Sequence, residues 1–241
     1  MTTISKSTNR QMLYLIFDTE TTGLPPRGAE LDIPDPTFER WPNVIQLSWI
    51  IWNSTSGEIM KVRDLYVRLP PERTISAGAM EKHKITPKHL TEHGVEPDEA
   101  FGEFAEDIAK SHYVVSHNLK FDMEVMQTEY RRRGHADPFT VTPKMRFCTM
   151  EHGKPLCGIK RLSVNGAPYV KPPTLTELHN FLFPASEDAP PLTNLHNSLT
   201  DVLICCRAAV KMITGTDIAV TLPKYWSHFE TSAAPIPVGQ H

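Results

Sequence analysis

The segment LIFDTETTGL, residues 15–24, most constrains the fold. Met12–Asp18 is an apolar run of strand length and reads as a buried strand. It ends in two carboxylates, Asp18 and Glu20, with one threonine between them. On a strand, residues two apart share a face, so both acids point the same way at the strand's C-terminal end. Two close carboxylates cannot both ionise cheaply without a cation between them. An all-oxygen donor set of this kind suits Mg²⁺ or Mn²⁺. The alternative on these residues alone is a solvated strand end, with Asp18 capping the next turn.

The rest of the chain supplies the partners of that strand. Residues 25–42 carry five prolines and read as a surface loop. Val44–Asn53 and Glu58–Leu69 read as strands joined by a turn at Ser56-Gly57. In the second of these, Ile59, Val62 and Leu65 break strict alternation, which leaves its register open. Helical periodicity covers Pro97–Lys110 and Phe121–Arg133, the latter stopping at Gly134. HYVVSHN is a short strand between them. Residues 138–173 read as irregular, Thr174–Phe183 as a short helix capped by Thr174, and Ser198–Ile213 as a final helix. Strands first, then helices alternating with strands, predict a single α/β domain with a mixed sheet. Its expected extent is 11–215, between a disordered tail at 1–10 and a partly mobile C-terminal extension at 216–241.

Composition narrows the function. A net charge of −3 gives no global attraction to nucleic acid or an acidic membrane, so any such contact must be local. No stretch of about 18 apolar residues is present, and the polar N-terminus lacks a signal-peptide run. The four cysteines, two of them adjacent, do not form a disulfide pattern. These features lead us to expect an intracellular protein with reduced thiols, cytoplasmic or associated with the nucleoid or nucleus.

Two more stretches carry candidate site residues. In VVSHNLKFDMEVM a strand ends at His117-Asn118, and Asp122 falls in the first turn of the next helix. Asn118 is expected to fix the turn and Phe121 to pack inward. Helix capping is the structural alternative for Asp122. In LHNSLTDVLICC, His196 and Asp201 would lie about 140° apart on one continuous helix. With Asn197 as N-cap, His196 falls in the preceding loop and both side chains can face one point.

In this order, Asp18, Glu20, Asp122, His196 and Asp201 resemble the DEDDh exonucleases, the DnaQ-like family that includes the proofreading subunit of bacterial replicative polymerase. DTETTGL matches the first motif, HNLKFD the second and HNSLTD the third. Weaker likeness in VIQLS, GAMEKHKIT, FCTM and TLTELHNFLF extends the resemblance over residues 12–213. It implies a ribonuclease-H-like fold with a mixed five-stranded sheet. It also implies two-metal 3′–5′ exonuclease chemistry with Mg²⁺ or Mn²⁺, releasing nucleoside 5′-monophosphates. Carried over, Asp18 contacts both metals. Glu20 and Asp201 hold the metal that carries the attacking water, and Asp122 acts at the other. His196 is the general base. The resemblance further implies that the Thr21 amide meets the terminal 3′-hydroxyl and that Leu24 wedges against the terminal base; core packing is the alternative for Leu24. Where the family usually has alanine, this chain has Ser198, which bears only on local packing.

The implied substrate is a DNA 3′ end, single-stranded or frayed, in proofreading or repair. An exoribonuclease or a non-catalytic nucleic-acid or polymerase-binding module are the competing readings. The Pro-rich loop 25–42 and the C-terminal tail are the expected contact sites for a polymerase or replication partner. Lys144, Arg146, Lys154, Lys160 and Arg161 read as a solvated surface or as phosphate contacts. Arg131–Arg133 read as complements of a helix dipole. Cys148, His152 and Cys157 fit no usual zinc spacing. His83, His89 and His93 are expected at the surface, Trp49 and Trp52 in the core, and Trp41 in loop packing or base stacking.

Overall fold

The computed structural model describes residues 11–26, 38, 40–184 and 196–218. The tail at 1–10, most of the Pro-rich loop and nearly all of the C-terminal extension lie outside these residues. Strands β1 (Leu13–Thr21), β2 (Val44–Asn53) and β3 (Glu58–Tyr66) open the chain. Helices α1 (Ala77–His83), α2 (Pro87–His93) and α3 (Pro97–Lys110) follow. Next come β4 (Tyr113–Ser116), α4 (Leu119–Arg132), α5 (Pro138–Val141) and β5 (Met145–Cys148). The chain continues through α6 (Thr149–Cys157), β6 (Lys160–Leu162), β7 (Pro168–Val170), α7 (Leu175–Leu182) and α8 (Ser198–Thr214).

The main sheet has the order β3-β2-β1-β4-β5, with β1 antiparallel to β2 and parallel to β4. Both faces of β1 are buried, which is why its sequence is apolar without alternation. Leu15 and Phe17 pack under α3 and α4 with Phe101, Phe104 and Met126. Tyr14 and Ile16 pack under α8 with Val202, Leu203 and Cys206. By the same alternation Asp18 and Glu20 fall on the α8 side, and Thr19 on the α4 side. Parallel pairing with β4 stops at Ile16↔Val115, while β2 stays paired to Thr21. The end of β1 therefore borders a crevice at the carboxyl edge of the sheet, where ligands of open α/β sheets gather.

The structure corrects several readings. Met60 is bulged out between the pairs Ile51↔Lys61 and Trp52↔Ile59, which puts Ile59 and Val62 on one face, while Leu65 packs into the core on the opposite face. Residues 138–173 are not irregular: they hold α5, β5, α6, β6 and β7. These elements are three to nine residues long, and one carries an internal proline, Pro155. Such lengths are too short to show a period. Pro87 begins α2 behind a Thr86 cap, so His83 ends one helix and His89 and His93 lie on the next. His83 is buried rather than exposed, His89 is half-buried with its ring edge-on to Tyr66 at 4.3 Å, and His93 is exposed. Trp41 is buried, which removes it as a stacking surface, and Trp49 and Trp52 lie in the core as expected. Arg132 and Arg133 pair with the buried Glu129, and Arg132 also donates to the carbonyls of Phe38 and Trp41, so it holds those two residues as well as ending a helix.

Candidate active site

Asp18, Glu20 and Asp201 converge. One oxygen of each lies within 4.8 Å of the others. The first two come from the end of β1, the third from the first turn of α8. Asn197 caps α8, accepting from the amides of Leu199 and Thr200, so the helix starts where the spacing required. His196 stands outside the helix with φ 65°, and its backbone amide donates to Asp201 Oδ2 at 3.3 Å. That left-handed turn lets the exposed ring line the cleft beside Glu20.

Asp122 is adjacent but differently held. Its Oδ1 accepts from the Thr19 amide at 3.2 Å and the Thr19 hydroxyl at 2.8 Å, and its Oδ2 from Ser116 at 2.6 Å. It is not part of the three-oxygen group, though its charge acts on all three of those acids. Asn118 is exposed in the left-handed conformation, φ 72°, and turns the chain from β4 into α4 through its backbone. Phe121 packs on the core and also lines the cleft.

Ser198 does more than fit. Its hydroxyl donates to the Asp18 carbonyl at 2.7 Å and its amide to Gln46 Oε1 at 3.3 Å. The Gln46 amide donates in turn to Asp64, which also accepts from Ser48. A buried polar chain thus fixes the start of α8 to β1 through β2 and β3. Sequence reasoning missed Gln46 and Asp64, whose partners lie far away in the chain.

The cleft has a volume of about 520 Å³. Thr21, Gly23 and Leu24 form one wall, and Ser76, Lys82 and His83 of the α1 region the other. Leu24 is 80% exposed, so core packing is excluded for it. Lys82 and His83 were missed as cleft residues; the only signal was their place in GAMEKHKIT. His83 Nδ1 accepts from the Ile85 amide at 3.0 Å, while its buried Nε2 faces the Thr21 backbone without a hydrogen bond of normal geometry.

Burial raises every acid here, and neighbouring carboxylates add to it for Asp18, Glu20 and Asp201. Asp18 is held well above the ordinary carboxylate range by burial and by Asp122, Asp201 and Glu20. Glu20 is pushed up to about 8 by burial, Asp201 and Asp122, against the opposing charge of Lys82. Asp201 rises to about 7 by burial and Asp122, opposed by the His196 amide. Asp122 rises to about 7 by burial, opposed by Ser116 and Thr19. Carboxylates alone, crowded to the point of holding protons near neutrality, fit a hard divalent cation.

A thermal prediction follows from the sign of these shifts. Folded carboxylates with raised pKa bind more protons than the unfolded chain, so stability falls as pH rises from about 4 towards about 8. In EDTA the melting temperature is expected to drop by several degrees between pH 6 and pH 8. Mg²⁺ or Mn²⁺ should raise it, and by more at pH 8, because fewer protons must leave. Scanning calorimetry at both pH values checks this; an equal metal effect at the two would contradict the repulsion account.

The Exonuclease (RNase_T) family model matches residues 15–209. Among solved structures, E. coli Exonuclease I in complex with a dT13 oligonucleotide aligns with a TM-score of 0.62 and 16% identity, over 90% of this chain and 44% of that one. The zinc-bound form of the E. coli Exonuclease I–single-stranded DNA complex aligns with a TM-score of 0.60 and 18% identity, over 90% of this chain and 43% of that one. The dA16 complex of E. coli Exonuclease I gives a TM-score of 0.58 and 17% identity, over 90% and 44%. The chain thus spans less than half the length of these structures, and at such identities the likeness is one of fold. No curated protein matches the chain. No helix among the described residues is long and apolar enough to cross a membrane. Because the family model covers most of the chain, on a five-stranded mixed sheet whose carboxyl edge gathers the acids, the protein belongs to the DnaQ-like exonuclease family of ribonuclease-H fold.

Proposed function

We propose that the protein is a two-metal-ion 3′–5′ exonuclease that releases nucleoside 5′-monophosphates from single-stranded or frayed DNA 3′ ends. The observation that carries this is the convergence of Asp18, Glu20 and Asp201 beside an open cleft that His196 also lines. Asp18, Glu20 and Asp201 would hold Mg²⁺ or Mn²⁺, with Asp122 completing the site from behind Thr19. When bound, the ions supply positive charge to the attacking and leaving oxygens of an in-line displacement.

The chain's own groups do the rest. A ring nitrogen of His196 takes the proton of the attacking water. The new O–P bond forms as the P–O3′ bond breaks, and the leaving 3′-oxygen acquires a proton from solvent. The Asp201 bond to the His196 amide keeps base and carboxylate in register. The Thr21 amide would meet the terminal 3′-hydroxyl. Exposed Leu24 faces the cleft as a wedge for the last base, and Asn118 shapes the turn past which the strand leaves. A terminus read by shape and a free hydroxyl implies little base preference. The DNA assignment draws on the deoxyoligonucleotide complexes of the similar Exonuclease I structures.

Matched 5′-labelled DNA and RNA oligonucleotides, incubated with Mg²⁺, Mn²⁺ or EDTA, test this. A one-nucleotide ladder on DNA that chelation abolishes is the expected result. A ladder mainly on RNA would replace the substrate, and no degradation by folded protein would overturn the proposal.

A further inference from the structure

The charge of this chain is unevenly placed. Between Asp137 and Glu177 stand six cations, Lys144, Arg146, Lys154, Lys160, Arg161 and Lys171, against one acid, Glu151. That segment carries +5 in a chain of net −3, which leaves −8 for the remainder. Asymmetry of this size points to a polyanion. The segment is also where the sequence showed no regular structure, and the fold builds β5, α6, β6 and β7 from it.

Two features of the segment are shaped for a strand. The first is a groove of about 750 Å³ between α4, β5 and the start of α6. Asn118 and Lys120 form one side of it, and Arg146, Met150 and His152 the other. The next residue along α4, Phe121, lines the catalytic cleft, so the first turn of α4 is the wall the two depressions share. The ring of His152 stacks on Phe147 at 4.2 Å and 20°, a flat shelf at the groove's edge.

The second is the β6–β7 ribbon. It follows α6, a helix about 13 Å long, from the groove. All six of its strand residues are exposed, so among the described residues neither face is covered. Arg161 and Tyr169 are direct cross-strand partners and share one face. Leu162 and Val164 are exposed as well, at 71% and 106%. An uncovered two-stranded ribbon is marginal by itself. A cation beside an aromatic ring on such a ribbon suits a phosphate with its stacked base.

We propose that the β5–α6–β6–β7 segment is a single-strand-binding arm: the α4–α6 groove takes the nucleotides upstream of the scissile bond, and the Arg161–Tyr169 face of the ribbon grips the strand beyond them. This rests on the exonuclease reading above. It makes substrate length, rather than base identity, the property the protein selects.

The test uses the full chain, Arg146→Ala, and the double variant Arg161→Ala/Tyr169→Ala, all at exposed positions. Anisotropy of a phosphorothioate 20-mer and a trinucleotide in Mg²⁺ measures binding at several salt concentrations. Hydrolysis of thymidine 5′-p-nitrophenyl phosphate measures the catalytic centre alone. Each variant is expected to weaken the 20-mer about tenfold and to flatten the salt slope by about one per arginine removed. Ester hydrolysis by both variants should stay within about twofold of wild type, as should the trinucleotide affinity of the ribbon variant, whereas Arg146→Ala should weaken the trinucleotide as well. Unchanged 20-mer affinity and slope would overturn the proposal and leave the ribbon as a surface for a protein. A wild-type protein that degrades neither the ester nor an unmodified 20-mer would overturn the exonuclease reading instead, while the anisotropy contrast would still decide the arm.

Discussion

Asp18→Asn is expected to lower exonuclease turnover by about 10³-fold or more while raising the melting temperature of the metal-free protein. The two effects have one cause. Asp18 sits among Glu20, Asp201 and Asp122, and its carboxyl is held well above the ordinary range by burial first and then by the charges of Asp122, Asp201 and Glu20. Asparagine has the same shape and no charge, and its NH₂ can donate to a neighbouring carboxylate. The Ser198 hydroxyl bonds the backbone carbonyl of residue 18, so that tie to α8 survives the change. Removing the charge relieves the remaining acids and should raise the melting point in EDTA at pH 8 by several degrees. It also removes an oxygen from the group that would hold the cation, so Mg²⁺ should stabilise the variant far less than wild type. Turnover assays beside calorimetry with and without Mg²⁺ read both effects. Retained activity would sink the metal-site reading. Lost activity with a lowered melting point in EDTA would show that Asp18 serves the fold rather than opposing it.

The parts of this site visible in the sequence are those set by local geometry. Strand alternation alone put Asp18 and Glu20 on one face, and the packing of Tyr14 and Ile16 under α8 shows that face to be the one α8 covers. Capping logic alone separated His196 from Asp201, and Asn197 caps α8 in that way. What stayed hidden depends on contacts between distant residues. Gln46 reads as one more β2 residue until Ser198, 152 positions away, donates to it. Ser198 itself looked like a tolerated departure, because nothing nearby shows that its hydroxyl meets the Asp18 carbonyl. Lys82 and His83 enter the cleft only because α1 folds across from Leu24, and a seven-residue helix has too little period to announce which face it buries. In β5–β7 the elements are shorter still, and charge was the more legible signal than periodicity.

His196→Asn is the second large effect, and asparagine is the informative choice. Residue 196 sits at φ 65°, a region alanine enters only with strain, whereas asparagine tolerates it well. An alanine there would pull on the amide that donates to Asp201, and a loss of activity would then mix two causes. Asparagine keeps the turn and the Asp201 bond and removes only the ring. The side chain is exposed, so the melting point should move little. If the ring is the base, kcat on single-stranded DNA should fall about 10²–10⁴-fold with KM nearly unchanged. Added imidazole should restore part of the rate in His196→Asn and none in Asp18→Asn, since a small base can replace a proton acceptor but not a missing ligand. A fall in kcat of less than about tenfold would remove His196 from the chemistry and hand proton transfer to solvent. A fall with no imidazole rescue and a weakened Mg²⁺ effect on melting would place the residue instead in support of Asp201.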